Sequence, residues 1–168
     1  PVSKPHAFEL TKLIPGADRN QVVLINPEQK PLKSVFYFPG CGSERIFTQI
    51  SMASIYLLLS NQIRVILPLS YTCCGYPFKV NSKTMEYDRI LLENLLVFSQ
   101  IKAMFQDLEF DACLVSCGTC MESLQTQGLD ELLECEIKDI NRYILDVDDT
   151  LGFHNDYIYH APCHDSFQ

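Results

Sequence analysis

The densest chemistry in this chain lies in Pro68-Leu69-Ser70-Tyr71-Thr72-Cys73-Cys74-Gly75-Tyr76-Pro77. Adjacent cysteines rarely bond to each other, because the ring that closes strains the peptide between them. Both thiols are therefore expected to meet a different partner. Gly75 permits a tight turn and close approach to a bulky group. The prolines at either end are expected to stiffen the loop and keep it out of any helix or central strand. A loop of this kind suits a metal or a cluster, and the remaining cysteines bear on that idea.

There are eight cysteines in 168 residues, among them a C-x-x-C at Cys117 and Cys120. In a small secreted chain they would suggest a disulfide scaffold, but no signal-type segment opens the sequence and no apolar run reaches the roughly 18 residues of a membrane helix. The spacing favours metal chemistry in a reducing, cytoplasmic compartment, with at most a peripheral association at the inner face of a membrane. Thirteen Lys and Arg against twenty-one Asp and Glu leave a formal charge of −8, which argues against nucleic-acid binding by phosphate neutralisation. A 47% hydrophobic content is enough for one sizeable core. The chain begins without Met and stops inside a motif, so it reads as a piece of something longer.

The elements that must position these thiols alternate. Residues 1–33, rich in proline, read as a linker or wrapping arm, with a short strand at Gln21 to Ile25 and a solvated His6. Ser34 to Phe38 reads as a buried strand. Cys41 is expected in the turn after it, with Ser43 as N-cap of a helix to Asn61 whose inner face is Ile46, Ile50, Ala53 and Leu57. Ile63 to Leu67 is the second strand and feeds the paired-cysteine loop. A helix over about Thr84 to Phe105 turns Leu91, Leu95, Phe98, Ile101 and Phe105 inward and keeps Glu86, Asp88, Glu93 and Lys102 wet. Asp111 to Ser116 is the third strand, and it delivers Cys117-Gly118-Thr119-Cys120 and a helix ending near Gly128. Glu136 to Ile140 reads as a fourth strand, Asn141 to Leu145 as a short helix, and Tyr157 to His160 as a fifth strand before Ala161-Pro162-Cys163-His164.

Strand–helix alternation at this spacing predicts an α/β, Rossmann-like three-layer domain with a mostly parallel sheet of four or five strands. Cys41, Cys73, Cys74, Cys117, Cys120 and Cys163 each follow a predicted strand closely. Strand ends of a parallel sheet share one edge, where open α/β folds bind ligands. The cysteines should therefore converge. Zinc closes its shell with four ligands, whereas iron–sulfur clusters take thiolates across wide sequence gaps. A cluster is favoured, and zinc using four of the thiolates stays open.

The pattern Cys41, thirty-one residues, Cys73-Cys74, forty-two residues of which Gly75 is the first, Cys117-Gly118-Thr119-Cys120 resembles the cysteine-rich CCG domain. That family includes the heterodisulfide reductase B subunit and the iron–sulfur subunits of glycolate oxidase, anaerobic glycerol-3-phosphate dehydrogenase and lactate-utilisation systems. The second gap is longer than in the reductase subunits, which implies a different helical crossover. The wording Phe38-Pro39-Gly40-Cys41-Gly42-Ser43-Glu44-Arg45, Cys73-Cys74-Gly75-Tyr76-Pro77 and Val115-Ser116-Cys117 is similar to the C-terminal part of large bacterial fused FAD-linked lactate/glycolate-dehydrogenase-like proteins. The resemblance implies a CCG domain over 34–156 and the start of a truncated second repeat over 157–168. It implies that Cys41, Cys73, Cys74, Cys117 and Cys120 bind an iron–sulfur cluster of 4Fe–4S type, cubane or noncubane, with Cys163 as a candidate ligand of the second repeat. FAD would sit elsewhere in the parent protein, and the partners would be an FAD-binding dehydrogenase region and a ferredoxin-type module.

Other residues have plainer readings. Cys113, on a buried strand, and the isolated Cys135 read as core thiols. His160 and His164 read as loop histidines beside Cys163, and Tyr71 and Tyr76 as shields of the loop. Arg45 could pair with an anionic cluster or with Glu44 or Glu86. Three function classes follow: an electron-transfer module of a 2-hydroxy acid oxidoreductase; a catalytic cluster acting on a thiol, disulfide or quinone; and a zinc-stabilised interaction domain.

Overall fold

Strands with no polar alternation must be covered on both faces, and Ser34 to Phe38 and Ile63 to Leu67 are of that kind. In the computed structural model, which describes residues 22–68, 72–148 and 164–165, they lie at the centre of a five-stranded sheet. Its strands are β1 (Val23–Ile25), β2 (Lys33–Phe38), β3 (Ile63–Leu67), β4 (Ala112–Val115) and β5 (Ile137–Asp139), in the order β1-β3-β2-β4-β5. β2 runs parallel to β3 with Val35 opposite Val65, and parallel to β4 with Phe36 opposite Cys113. β5 continues parallel to β4, while β1 closes the other edge antiparallel to β3. The α/β class and mostly parallel sheet are as expected. The fifth strand read at Tyr157 to His160 lies outside the described residues, as do His6, Tyr71 and Cys163.

The helices are α1 (Gly40–Arg45), α2 (Thr48–Ser60), α3 (Tyr76–Val80), α4 (Thr84–Met104), α5 (Gly118–Thr126), α6 (Leu129–Leu133) and α7 (Ile140–Val147). Alternate strand residues divide the core. Phe36, Phe38, Cys113 and Val115 face Phe98, Ile101, Leu124 and Leu133 of α4, α5 and α6. Val35, Tyr37, Val65 and Leu114 face Ile55, Leu58, Ile140 and Tyr143 of α2 and α7. The result is three layers. Phe98 anchors the first side, its ring meeting Phe36 edge-on at 5.0 Å and Phe38 tilted at 6.1 Å. Among the described residues no helix is long and apolar enough to cross a membrane.

The short strand read at Gln21 to Ile25 is present as β1, and it pairs with the edge of β3 that would otherwise be bare. Three expectations need correction. The helix after β2 is two helices. The backbone N–H groups of Ile46 and Phe47 both turn onto the Gly42 carbonyl at 2.9 Å, ending α1, and α2 restarts in a rotated register. Ile46, Phe47 and Ile50 are consequently exposed, Ser43 is inside α1 rather than at an N-cap, and the buried face is Ser51, Ser54, Ile55 and Leu58. Pro77 does not bar a helix: it stands in the first turn of α3, where a missing N–H costs nothing. The inner face of α4 is rotated by about one position from the expected one, to Ile90, Asn94, Phe98 and Ile101, with Leu91 and Leu95 half-buried.

The rotated register of α2 is open to test by urea unfolding. Leu58→Ala should destabilise the domain by about 2–5 kcal/mol through an unfilled core cavity, because Leu58 is fully buried. Ile46→Ala should stay within about 0.5 kcal/mol, because Ile46 is 74% exposed. The reverse order would restore the single-helix reading.

Candidate metal centre

β2, β3 and β4 are mutually parallel, so Phe38, Leu67 and Val115 end on one edge. From β2 the chain goes to β3 on one side, and from β3 it crosses to β4 on the other. The place above the strand ends where the order reverses in this way is the usual ligand position in open α/β sheets. Cys41 follows β2 in the first turn of α1. Cys73 and Cys74 lie between β3 and α3. Cys117 is the N-cap of α5 and Cys120 is in its first turn.

Two glycines make the approach possible. Gly40 has φ +71°, and a Cβ on it would lie 3.0 Å from Cys120 Sγ. Gly75 has φ +80°, and a Cβ there would meet Ile90 at 3.1 Å and Tyr87 at 3.2 Å on α4. A side chain at either position would be strained and would push the loops apart.

The five thiols form a run of neighbours. Cys73 stands against Cys74 with Cys41 close by, Cys74 against Cys120, and Cys120 against Cys117. Cys74 and Cys120 are buried, Cys41 and Cys73 half-buried, and Cys117 exposed on its outer side. The crowding sorts protons. Hydrogen bonds from Cys120 and then Cys73, joined by the N–H groups of Tyr76 and Cys74, outweigh burial and hold the Cys74 thiol far below its ordinary range, at about 3. The donors move the other way: Cys73 is raised by its bond to Cys74 and by burial, Cys120 by its bonds to Cys117 and Cys74. Cys120 has one proton, so one of its two neighbours receives it at a time. Cys117 is pulled down to about 5 by Cys120 first, and then by the backbone and hydroxyl of Thr119. This arrangement favours thiolate character at the helix terminus. Among the described residues, no group of three or more His, Cys, Asp or Glu is disposed to hold a single metal ion.

Two polar networks fix the loops. On the α4–α5 side, Asn94 Nδ2 donates to the Cys73 carbonyl (3.1 Å) and to Gln127 Oε1 (3.0 Å). Gln127 Nε2 donates to the Cys74 carbonyl (2.8 Å) and to Ser123 Oγ (3.1 Å), and Ser123 Oγ donates to the same carbonyl (2.7 Å). On the α2 side, Tyr37 Oη lies 2.6 Å from Ser116 Oγ and donates to Ser51 Oγ at 3.3 Å, and Ser51 donates to the Ser43 carbonyl at 2.9 Å. The second network ties the Cys41 helix to the residue before Cys117.

Sequence reasoning missed these polar residues. One signal was present: Asn94 lies four residues after Ile90 and four before Phe98, a polar side chain in an apolar register. His164, read as a plain loop histidine, lies 2.9 Å from Tyr76 Oη through Nε2 and 2.5 Å from Glu122 through Nδ1. Cys113 is fully buried on β4, where burial pushes its thiol up, and Cys135 is half-buried and raised to about 11, chiefly by burial. Neither belongs to the run.

Residues 35–125 match the family described as cysteine-rich domain, CCG. An uncharacterized iron–sulfur protein of Methanococcus maripaludis is 25% identical over 132 residues, covering 77% of this chain and 25% of that protein. A second uncharacterized iron–sulfur protein, from Methanocaldococcus jannaschii, is 23% identical over 146 residues, covering 86% of this chain and 28% of that protein. The chain thus spans about a quarter of the length of these curated relatives. No solved structure matches it.

Iodoacetamide labelling of the reduced, metal-free protein, followed residue by residue by mass spectrometry, should rank the thiols. Cys117 is exposed and lowered to about 5, so its rate should be level from about pH 8 to about pH 6 and fall as pH drops through its pKa. Cys135, raised to about 11, should label faster with every rise in pH across that range. Cys113 should stay unmodified until the domain unfolds. Labelling of Cys113 ahead of Cys117 would contradict the arrangement.

Proposed function

The chain belongs to the CCG cysteine-rich domain family, and on that premise we propose that it holds an iron–sulfur cluster through Cys41, Cys73, Cys74, Cys117 and Cys120 and relays electrons within an FAD-linked oxidoreductase of the 2-hydroxy acid dehydrogenase type. The observation that carries this reading is the meeting of five thiols from three loops at one strand edge. The donors are all sulfur, the ligand type iron–sulfur clusters take, and they number one more than zinc needs. A five-thiol set also suits a noncubane 4Fe–4S form, since a cubane uses four. The iron–sulfur relatives support the cofactor class. The wording of the motifs supports the flavoprotein context, with an FAD-binding dehydrogenase region and a ferredoxin-type module as partners in the same or another chain.

When bound, such a cluster supplies one-electron redox chemistry. The chain's own contribution is geometric and electrostatic. Cys74 and Cys120 sit on the apolar side, against the core, and exclude water there. Backbone N–H groups at Cys74, Gly75 and Tyr76 face the sulfurs of the pair, and hydrogen bonds to sulfur raise a cluster's reduction potential by offsetting its negative charge. The exposed Cys117 marks the side on which an electron partner can come close.

Anaerobic reconstitution with iron and sulfide should give about four of each per chain, with visible absorption that bleaches on reduction. Cys73→Ser and Cys74→Ser should lose most of the bound iron, while Cys113→Ser and Cys135→Ser keep it. Uptake of zinc without sulfide would sink the cluster. Iron loss in Cys113→Ser, with Cys73→Ser and Cys74→Ser at full complement, would move the site to β4.

A further inference from the structure

The three residues Asn94, Ser123 and Gln127 are polar, almost fully buried (2%, 1% and 8% exposed) and come from two helices. They bond to the backbone of the cysteine pair rather than to any thiol. In a trans peptide the carbonyl of one residue and the N–H of the next point in opposite directions. The Cys74 carbonyl is held by Ser123 and Gln127 on the helix side. The far end of that same peptide is the Gly75 N–H, which donates to Cys73 Sγ at 3.4 Å. One peptide earlier, Asn94 holds the Cys73 carbonyl, so the Cys74 N–H at the other end of that peptide points away from α4. Two successive carbonyls are thus turned toward the helices, and the Gly75 N–H is turned toward sulfur.

We propose that Asn94, Ser123 and Gln127 act as a positioning clamp that sets the orientation of the Cys73–Gly75 peptides and thereby aims the Gly75 N–H at the Cys73 sulfur. This rests on the cluster reading above for its consequence, though not for its geometry. The donors run in one direction without conflict. Both hydrogens of Asn94 Nδ2 are used, on the Cys73 carbonyl and Gln127 Oε1, and both of Gln127 Nε2, on the Cys74 carbonyl and Ser123 Oγ. The Ser123 hydroxyl accepts from Gln127 and gives its hydrogen to Cys74, whose carbonyl fills both lone pairs. Flipping either amide would put an oxygen against a carbonyl oxygen, so the network admits one arrangement. Gly75 has to be glycine because the turned peptide needs φ +80° and because α4, which carries Asn94, lies against its Cα.

The test uses Ser123→Ala, Ser123→Thr and Gln127→Met. In the reduced, metal-free protein, amide exchange at Gly75 should quicken about tenfold in Ser123→Ala and Gln127→Met, the factor that one ordinary hydrogen bond sets. The β2 amides should keep their protection, and Ser123→Thr, which retains the hydroxyl, should behave as the parent. In the reconstituted protein, Gln127→Met should shift the reduction potential to a more negative value at unchanged iron content. Gly75 exchange at the parental rate overturns the clamp. Exchange that quickens equally in β2 overturns it too, since it would mark a merely structural role. Parental protein that takes up no iron would sink the cluster reading while leaving the exchange result to decide the clamp.

Discussion

Parallel pairing of β2 with both β3 and β4 is the constraint on which everything else in this domain depends. It brings the ends of three strands to one edge, and so brings together cysteines separated by more than seventy residues of chain. Antiparallel pairing of either neighbour would send one cysteine loop to the opposite end. The pairing in turn requires strands buried on both faces, which explains their largely apolar character, interrupted only by Lys33 and Ser34 at the start of β2 and Arg64 in β3, and the helical layers on either side. β2 is the pivot, flanked by β3 and β4, and its residues Phe36 and Tyr37 point into opposite halves of the core.

Thiols brought this close cannot all ionise independently. The buried Cys74 carries thiolate character because two thiols and two backbone N–H groups donate to it, and their sum outweighs desolvation. Its donors Cys73 and Cys120 are held protonated as a result. Such a run carries fewer charges than sulfurs. A bound metal group would supply the missing positive charge and release the remaining protons, which couples occupancy to protonation.

The loops carrying these thiols are braced from both sides of the sheet. Beneath the Cys41 helix, the Tyr37 hydroxyl links Ser116 and Ser51, and Ser51 reaches the Ser43 carbonyl. Behind the cysteine pair, Asn94, Ser123 and Gln127 grip two consecutive carbonyls. Both networks are buried, and their hydrogen bonds satisfy polar groups that would otherwise be costly in the core. They place polar side chains inside helices that would otherwise read as simple amphipathic elements.

The sequence by itself determined the strands, the thiols and their order. Ser34 to Phe38, Ile63 to Leu67 and the run before Cys117 are short, apolar and bounded by turn residues, and they emerge as β2, β3 and β4 within a residue or two. Gly75 was legible as a tight turn because only the pattern around it mattered, and it adopts φ +80°. Tertiary structure decided what depends on rotation about a helix axis or on a remote partner. Ile46 and Ile50 lie on the outside because α1 closes on Gly42 and α2 starts afresh, an event set by backbone bonds rather than by apolar spacing. The strand at Val23–Ile25 was legible, but its antiparallel place on the edge of β3 depends on that remote partner. Asn94 and Gln127 are thirty-three residues apart yet 3.0 Å from each other, and both face the cysteine pair. A local pattern marks a residue as polar; only the packed helices say whether it meets water or a carbonyl.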